Sequence, residues 1–199
     1  MDYSQFFNMI PEAGLMAILV IVFLADLFLK GEKKHATLSM LTCALLVAQV
    51  VLCFNAQPAE TFAGLYTATA AAQVMKVILT AGAYIVVVMA QSWIEREDVL
   101  RKEGEFYELI ISTLLGMYMM ISSGHFLMFF LGLEMASVPM ACLVAFDKYK
   151  KISAEGAAKF ILTATFSSGV MLYGISFIYG ACGTLYFDDM AAKISASPL

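Results

Sequence analysis

The chain has 199 residues, 61% of them hydrophobic and only 14% charged, with a formal net charge of −4 and a mean hydropathy of +0.82. A soluble domain carries about 25% charged residues, so this composition excludes a soluble enzyme and describes an all-α, polytopic membrane protein. No basic patch invites nucleic acid. The cysteines at 43, 53, 142 and 182 form no CxxC pair and have no histidine at metal-ligand spacing, so they read as small buried hydrophobes or free thiols.

A hydropathy window of about twenty residues marks six candidate transmembrane helices, at about 11–30, 36–55, 71–94, 106–122, 125–146 and 154–180. The first is preceded by Asp2 and contains Glu12, with no Lys or Arg ahead of it. It is therefore expected to be a permanent helix rather than a cleaved signal peptide. Residues 1–104 then hold three helices, 105–181 hold helices four to six, and 182–199 form a tail. Leu185, Phe187, Met190 and Ile194 give that tail the pattern of a short amphipathic helix on the outer surface. Ser122-Ser123-Gly124 is short enough to make helices four and five an antiparallel hairpin, and Ser153 is the expected N-cap of the sixth, with Glu155 in its first turn.

The twelve basic residues fix an orientation. Lys30, Lys33 and Lys34 follow the first span, Arg96, Arg101 and Lys102 the third, and Lys148, Lys150 and Lys151 the fifth. The opposite side has only Lys193 in the tail, while Lys76 and Lys159 lie within spans. The positive-inside rule then places the three basic loops in the cytoplasm and both termini outside.

Ionisable groups inside the spans are the candidate functional residues, because a charge in hydrocarbon needs protein or water around it. Glu134 is the foremost. It sits at the middle of an otherwise uncharged run over 126–146, about 12 to 18 Å from either end at 1.5 Å per residue and too deep to snorkel. Pro139 denies an N–H to the Met135 carbonyl, and Ser137 shares the Glu134 face, so a polar pocket is expected there. Lys159 lies inside the sixth span on a polar stripe with Glu155 and Thr163. Its spacing fits both an ordinary intrahelical ion pair and a functional base. Asp26 with Lys30 reads as an interfacial pair, Lys76 as a snorkelling lysine, and His125 as a solvated interfacial histidine. An intramembrane glutamate with a lysine on the next helix is the acid and base set that a proton relay uses, since moving the ammonium switches the carboxylate's affinity for a proton.

These residues also carry a resemblance. Glu105-Phe106-Tyr107-Glu108-Leu109, then Phe130-Leu131-Gly132-Leu133-Glu134 with Ser137-Val138-Pro139, then Glu155-Gly156-Ala157-Ala158-Lys159-Phe160 and Leu172-Tyr173-Gly174 occur in order. This run, clearest over about 105–185, is similar to the antiporter-like subunits of respiratory complex I. The resemblance implies a proton-translocating membrane-arm subunit of a bacterial NADH:quinone oxidoreductase, in the inner membrane, with Glu134 and Lys159 as its charge-carrying residues. It implies no cofactor in this chain. NADH, FMN, iron–sulfur clusters and quinone are expected in partner subunits, and the partners are the other membrane-arm subunits and the lipid bilayer. Members of that family are built from two inverted repeats. These residues match the N-terminal portion, within the first repeat, and are expected not to pump alone. Multi-subunit cation/proton antiporters and membrane-bound hydrogenases share the FLGLE-like pattern, and a non-transporting scaffold, in which Glu134 and Lys159 merely lock two helices, is the third possibility.

Overall fold

The computed structural model describes residues 3–29, 34–95, 102–147 and 150–196. Lys30, Lys33, Arg96, Arg101 and Lys148, which entered the orientation argument, lie outside the described residues. A 3-10 turn, Tyr3–Met9, leads into α1, Ile10–Phe28, and Pro11 supplies a helical φ at the start of α1, where an N–H has no partner to lose. Then come α2, Lys34–Asn55, a two-stranded antiparallel hairpin of β1, Ala59–Thr61, and β2, Tyr66–Ala68, and α3, Ala70–Ile94. The helices α4, Glu103–Ile121, α5, Phe126–Val144, α6, Lys151–Cys182, and α7, Phe187–Ala196, complete the chain. The β-hairpin was not anticipated, because three-residue strands leave no periodic trace.

Five of the six expected spans are helices long and apolar enough to cross a membrane: α1, α2, α3, α5 and α6. The sixth expectation, 106–122, is met only as a helix. α4 carries Glu103, Glu105 and Glu108 in its first two turns, which lowers its apolarity. It is nevertheless the centre of the fold, packing on α1, α3 and α5 and burying Tyr107, Ile111, Leu114 and Tyr118 completely. Large apolar side chains such as Phe28, Met89 and Phe166 are instead about three-quarters exposed, at 76%, 75% and 75%, the outward surface that a bilayer or a partner covers and water does not.

The odd and even connections gather at opposite ends. At one end, Thr67 N–H donates to the Ser122 carbonyl and Gly124 N–H to that of Leu65, and His125 bridges to Tyr186, joining the hairpin, the α4–α5 turn and the α6–α7 turn. At the other end, His35 of α2 meets Glu103 of α4, and the rings of Trp93, Phe106 and Phe146 tie together the ends of α3, α4 and α5. The two ends are called below the hairpin end and the basic end.

Two expectations for local structure change. Ser153 does not cap α6, which begins at Lys151 with Lys150 as its uncapped flank and has no acidic residue in its first turn. The Ser153 hydroxyl instead donates to the Val144 carbonyl at 2.6 Å, so it satisfies the C-terminus of α5. His125 does cap α5, its Nδ1 accepting from Leu127 N–H at 3.1 Å with its ring edge-on to Tyr186, so it is not merely solvated. The expected tail helix is α7, with Asp188 and Asp189 at its start and Lys193 at its end, the charge order that the helix dipole favours.

The α4–α5 hairpin depends on two glycines. A Cβ at Gly116 would lie 2.4 Å from the Ala136 nitrogen, and one at Gly132 would lie 2.6 Å from the Met120 nitrogen. Backbone meets backbone there, as small residues allow in membrane helices. Gly116→Val is therefore expected to destabilise the detergent-solubilised protein by about 1–3 kcal/mol, as overpacking does. Gly82→Ala, with nothing within 4 Å of its added carbon, should leave stability unchanged or slightly raised. Thermal unfolding of the two variants checks this contrast, and equal effects would disprove it.

Candidate functional site: a buried charge cluster and an intramembrane glutamate

Lys76 does not snorkel. It sits two turns into α3, behind the Thr69 cap, and is 0% exposed. Its Nζ donates to Glu12 Oε1 at 2.6 Å, and Glu12, in the first turn of α1, is itself only 2% exposed. The helix dipole favours a carboxylate at that position. Tyr66 of β2 donates its hydroxyl to Glu12 Oε2 at 2.9 Å, Ser122 at the end of α4 donates to Oε1 at 3.3 Å, and Lys76 Nζ also reaches the Tyr66 oxygen at 3.4 Å. The ammonium lies 5.4 Å from the ring centres of both Tyr66 and Tyr118, within cation–π range. Burial first, and then the Glu12 carboxylate, push the Tyr66 phenol well above the ordinary tyrosine range, so it keeps its proton and acts as a donor.

The polar chain continues inward. The Thr80 and Tyr118 hydroxyls both donate to the Lys76 carbonyl, at 2.7 and 3.2 Å, and contact each other. Tyr118 hydrogen-bonds the Cys53 thiol at 3.1 Å, and Gln49 Nε2 donates to the Pro11 carbonyl at 2.6 Å. Four helices and one strand thus place polar groups around one buried ion pair. Such pairs persist only when their remaining donors and acceptors are met, because desolvation costs several kcal/mol per ion.

A second cluster occupies the basic end. His35 Nδ1 lies 2.5 Å from Glu103 Oε2, and Glu103 is 1% exposed. Asp26 pairs with Lys34 at 2.9 Å, and Lys30, its expected partner, lies outside the described residues. Gly104 allows the close approach of α4 to Asp26, since a Cβ there would fall 2.1 Å from the carboxyl carbon. A cleft of about 500 Å³ lined by His35, Ser39, Cys43, Tyr84, Gln91 and Glu95 opens beside this cluster.

Glu134 and Lys159 are on neighbouring helices but are not brought together. Lys159 pairs with Glu155 at 2.5 Å on an exposed face of α6, and Thr163 donates to the Lys159 carbonyl at 2.8 Å, so the stripe read from spacing is present as an intrahelical pair. Glu134 is half-buried and belongs to none of the ion pairs among the described residues. It borders two faces of α5: Gly132 packs on α4, whereas Leu131, Met135 and Val138 are exposed. α5 runs through Pro139 without breaking, and the Ser137 hydroxyl donates to the Glu134 carbonyl at 3.3 Å rather than to its carboxylate. The pairing of Glu12 with Lys76 escaped the reading of the sequence, although one signal was present. Both residues lie near the starts of odd-numbered helices, so topology puts them at the same end with opposite charge.

Residues 123–197, which carry α5 and α6, match the membrane domain family described as NADH:quinone oxidoreductase/Mrp antiporter, TM. Over its whole length the chain is 52% identical to the NADH-quinone oxidoreductase subunit N of Phocaeicola vulgatus and 42% identical to that of Azobacteroides pseudotrichonymphae. It spans 42% of the length of each, about two-fifths of the curated relatives that it matches. Among solved structures, a chain of respiratory complex I from Thermus thermophilus with bound aureothin superposes with a TM-score of 0.74 at 24% identity, over 88% of this chain and 38% of that one. A chain of an archaeal membrane-bound sulfane sulfur reductase superposes with a TM-score of 0.73 at 18% identity, over 94% and 39%. These two likenesses show the fold. The chain belongs to the NADH-quinone oxidoreductase subunit N family and corresponds to its N-terminal portion.

The buried pair sets a stability test. Lys76→Met or Glu12→Gln alone leaves one buried charge uncompensated and is expected to cost about 3–5 kcal/mol. The double variant removes both charges and should recover most of that loss. A double-mutant cycle read by thermal unfolding measures the coupling, and simple additivity of the two losses would show that the residues do not interact.

Proposed function

We propose that this chain works as part of a membrane-arm subunit of a bacterial NADH:quinone oxidoreductase, and that it carries protons across the inner membrane through the Glu134 carboxylate, with Lys159 as its switching partner. Electrons pass through partner subunits, which hold the NADH, FMN, iron–sulfur and quinone sites. The single observation that carries the reading is Glu134 itself: an acid in the middle of an apolar helix, half-buried, in none of the ion pairs among the described residues, and at the edge of an open face. A purely structural acid at that depth would be held by a cation, and none of the described ion pairs supplies one.

Lys159 suits the partner role by depth. Counted from the α5–α6 turn, Glu134 lies about 15 Å up α5 from Val144, and Lys159 about 12 Å up α6 from Lys151. Its ammonium is held by Glu155, exposed at the side-chain level by 74%, and free to exchange one carboxylate for another. In the low dielectric of a membrane, an ammonium close to Glu134 favours the carboxylate, and its return to Glu155 favours the protonated acid. Six spans with the basic loops in the cytoplasm complete the arrangement. α4 serves as the fourth span, its acidic first turns at the cytoplasmic interface, and both ends of these residues lie on the outer side. The family description names an antiporter as well as the oxidoreductase, and the relatives at 52% and 42% identity favour the oxidoreductase.

The test is Glu134→Gln in the full-length gene, with NADH-driven quinone reduction and the proton gradient both measured in native membrane vesicles. The expected result is an assembled complex that has lost most of both, as a proton carrier coupled to the redox arm requires. An assembled complex with wild-type values of both would make Glu134 structural.

A further inference from the structure

The Glu12–Lys76 pair takes no part in the reading above, yet it has the parts of a proton site. Each group that bonds the two charges carries a transferable proton: the Tyr66 hydroxyl on Oε2, the Ser122 hydroxyl on Oε1, and the ammonium itself. From α2, the Cys53 thiol joins through Tyr118, and from α3, Thr80 joins through the Lys76 carbonyl. Hydrogen-bonded chains of this kind polarise along their length.

Access is one-sided. Toward the basic end the bundle closes with Leu46, Val87, Ile111 and Leu114, all 0% exposed and apolar. Toward the hairpin end the cover is the β1–β2 hairpin, seated on the α4–α5 turn, and the hairpin's own turn is strained. Phe62, Ala63 and Gly64 follow one another with φ of +55°, +54° and +84°, a conformation that costs a residue with a side chain about 1–2 kcal/mol. The turn is held from outside itself, by Gln5 accepting from Phe62 N–H at 3.1 Å, by the Phe6 and Phe62 rings 5.1 Å apart, and by the seat of Gly124 against the Gly64 carbonyl.

We propose that Glu12 and Lys76 form a second proton-exchange site, open to water at the hairpin end alone, with the β1–β2 hairpin as its lid. The proposal rests on the proton-translocating reading of the chain. When the lid lifts, water takes the place of the Tyr66 hydroxyl on Glu12 Oε2. Lys76 passes one N–H proton to Glu12, and the carboxyl O–H then breaks to give that proton to the water. A neutral amine and a carboxylate remain, one charge lower than before, and a proton returning from water by the same route restores the pair. No electron moves.

Lys76→Arg in the full-length subunit of the intact complex is the test, because a guanidinium keeps the positive charge and the ion pair but does not give up its proton. With the complex assembled, the gradient driven by NADH oxidation should build about a hundredfold more slowly, the low side of what a lost proton-transfer group costs. If the longer side chain prevents assembly, the Lys76→Met/Glu12→Gln double variant removes both titrating groups without leaving a buried charge unpaired. It should slow the gradient by the same factor. Infrared difference spectra on acidification provide a readout that a purely structural pair would not move: a shift of the Glu12 carboxylate stretch as its amine partner becomes an ammonium, present in the wild type and lacking in Glu12→Gln. An assembled Lys76→Arg or doubly neutral complex that builds its gradient at the wild-type rate overturns the proposal, as does the absence of that carboxylate shift. Glu134→Gln in parallel separates the two ideas: its failure to pump beside a normal Lys76→Arg sinks this site alone, whereas its normal pumping sinks the reading built on Glu134.

Discussion

An ammonium that cannot reach water has to be met by protein, and the hairpin end of this molecule is arranged around that requirement at Lys76. The ammonium meets a carboxylate from α1, a phenol oxygen from β2 and the ring of a second tyrosine from α4, while a hydroxyl from α4 completes the carboxylate and one from α3 bonds the Lys76 carbonyl. None of these groups is near Lys76 in sequence except Thr80 and Tyr66, so the pair fixes how α1, α3, α4 and the hairpin meet. Removing any one contributor leaves the others with unmet donors or acceptors in a place where water is excluded. The hairpin, too short to be stable by itself, gains its place from that contact and from the strand-like bridge to Ser123.

α4 is the element through which the two halves of the structure communicate. On one side Tyr107, Ile111 and Tyr118 fill the space between α1, α2 and α3; on the other, Gly116 admits the backbone of α5 at Ala136. Glu134 stands two residues from that contact. Its depth and its open flank are therefore set by glycine packing and not by any partner of its own carboxylate. α5 and α6 leave most of their surface uncovered, with only Gly132, Ala141, Ser168 and Ile175 buried, and their exposed faces are apolar but for the Glu155–Lys159 stripe. Apolar helices of this length, uncovered along their flanks, suit a bilayer.

Legibility in the sequence followed the type of signal. The helices were readable because twenty apolar residues in a row have few alternatives, and the shared ends were readable because short connectors force antiparallel neighbours. Glu134 was conspicuous for the same reason, as a lone charge in a long apolar run. Lys76 was visible as a charge and misjudged in direction: a lysine near the end of a span snorkels when lipid surrounds it, and here three helices and a strand surround it instead. Ser153 matched a capping rule, but its hydroxyl found the unpaired carbonyl of Val144 closer at hand. The α4 span was blurred by Glu103, which looks like an interfacial charge in sequence and is buried against His35 in space.

The sequence by itself determined the membrane class, the helices and their order, the end at which each connector lies, and the position of Glu134 as a lone charge in a long apolar run. These follow from hydropathy and chain length, which are local quantities. Only the tertiary structure decided which charges meet. It joined Glu12 to Lys76 across 64 positions and His35 to Glu103 across 68, and it kept Lys159 on Glu155. Ion pairing depends on the approach of side chains within about 4 Å, and that distance is fixed by how helices pack, not by how far apart residues stand along the chain.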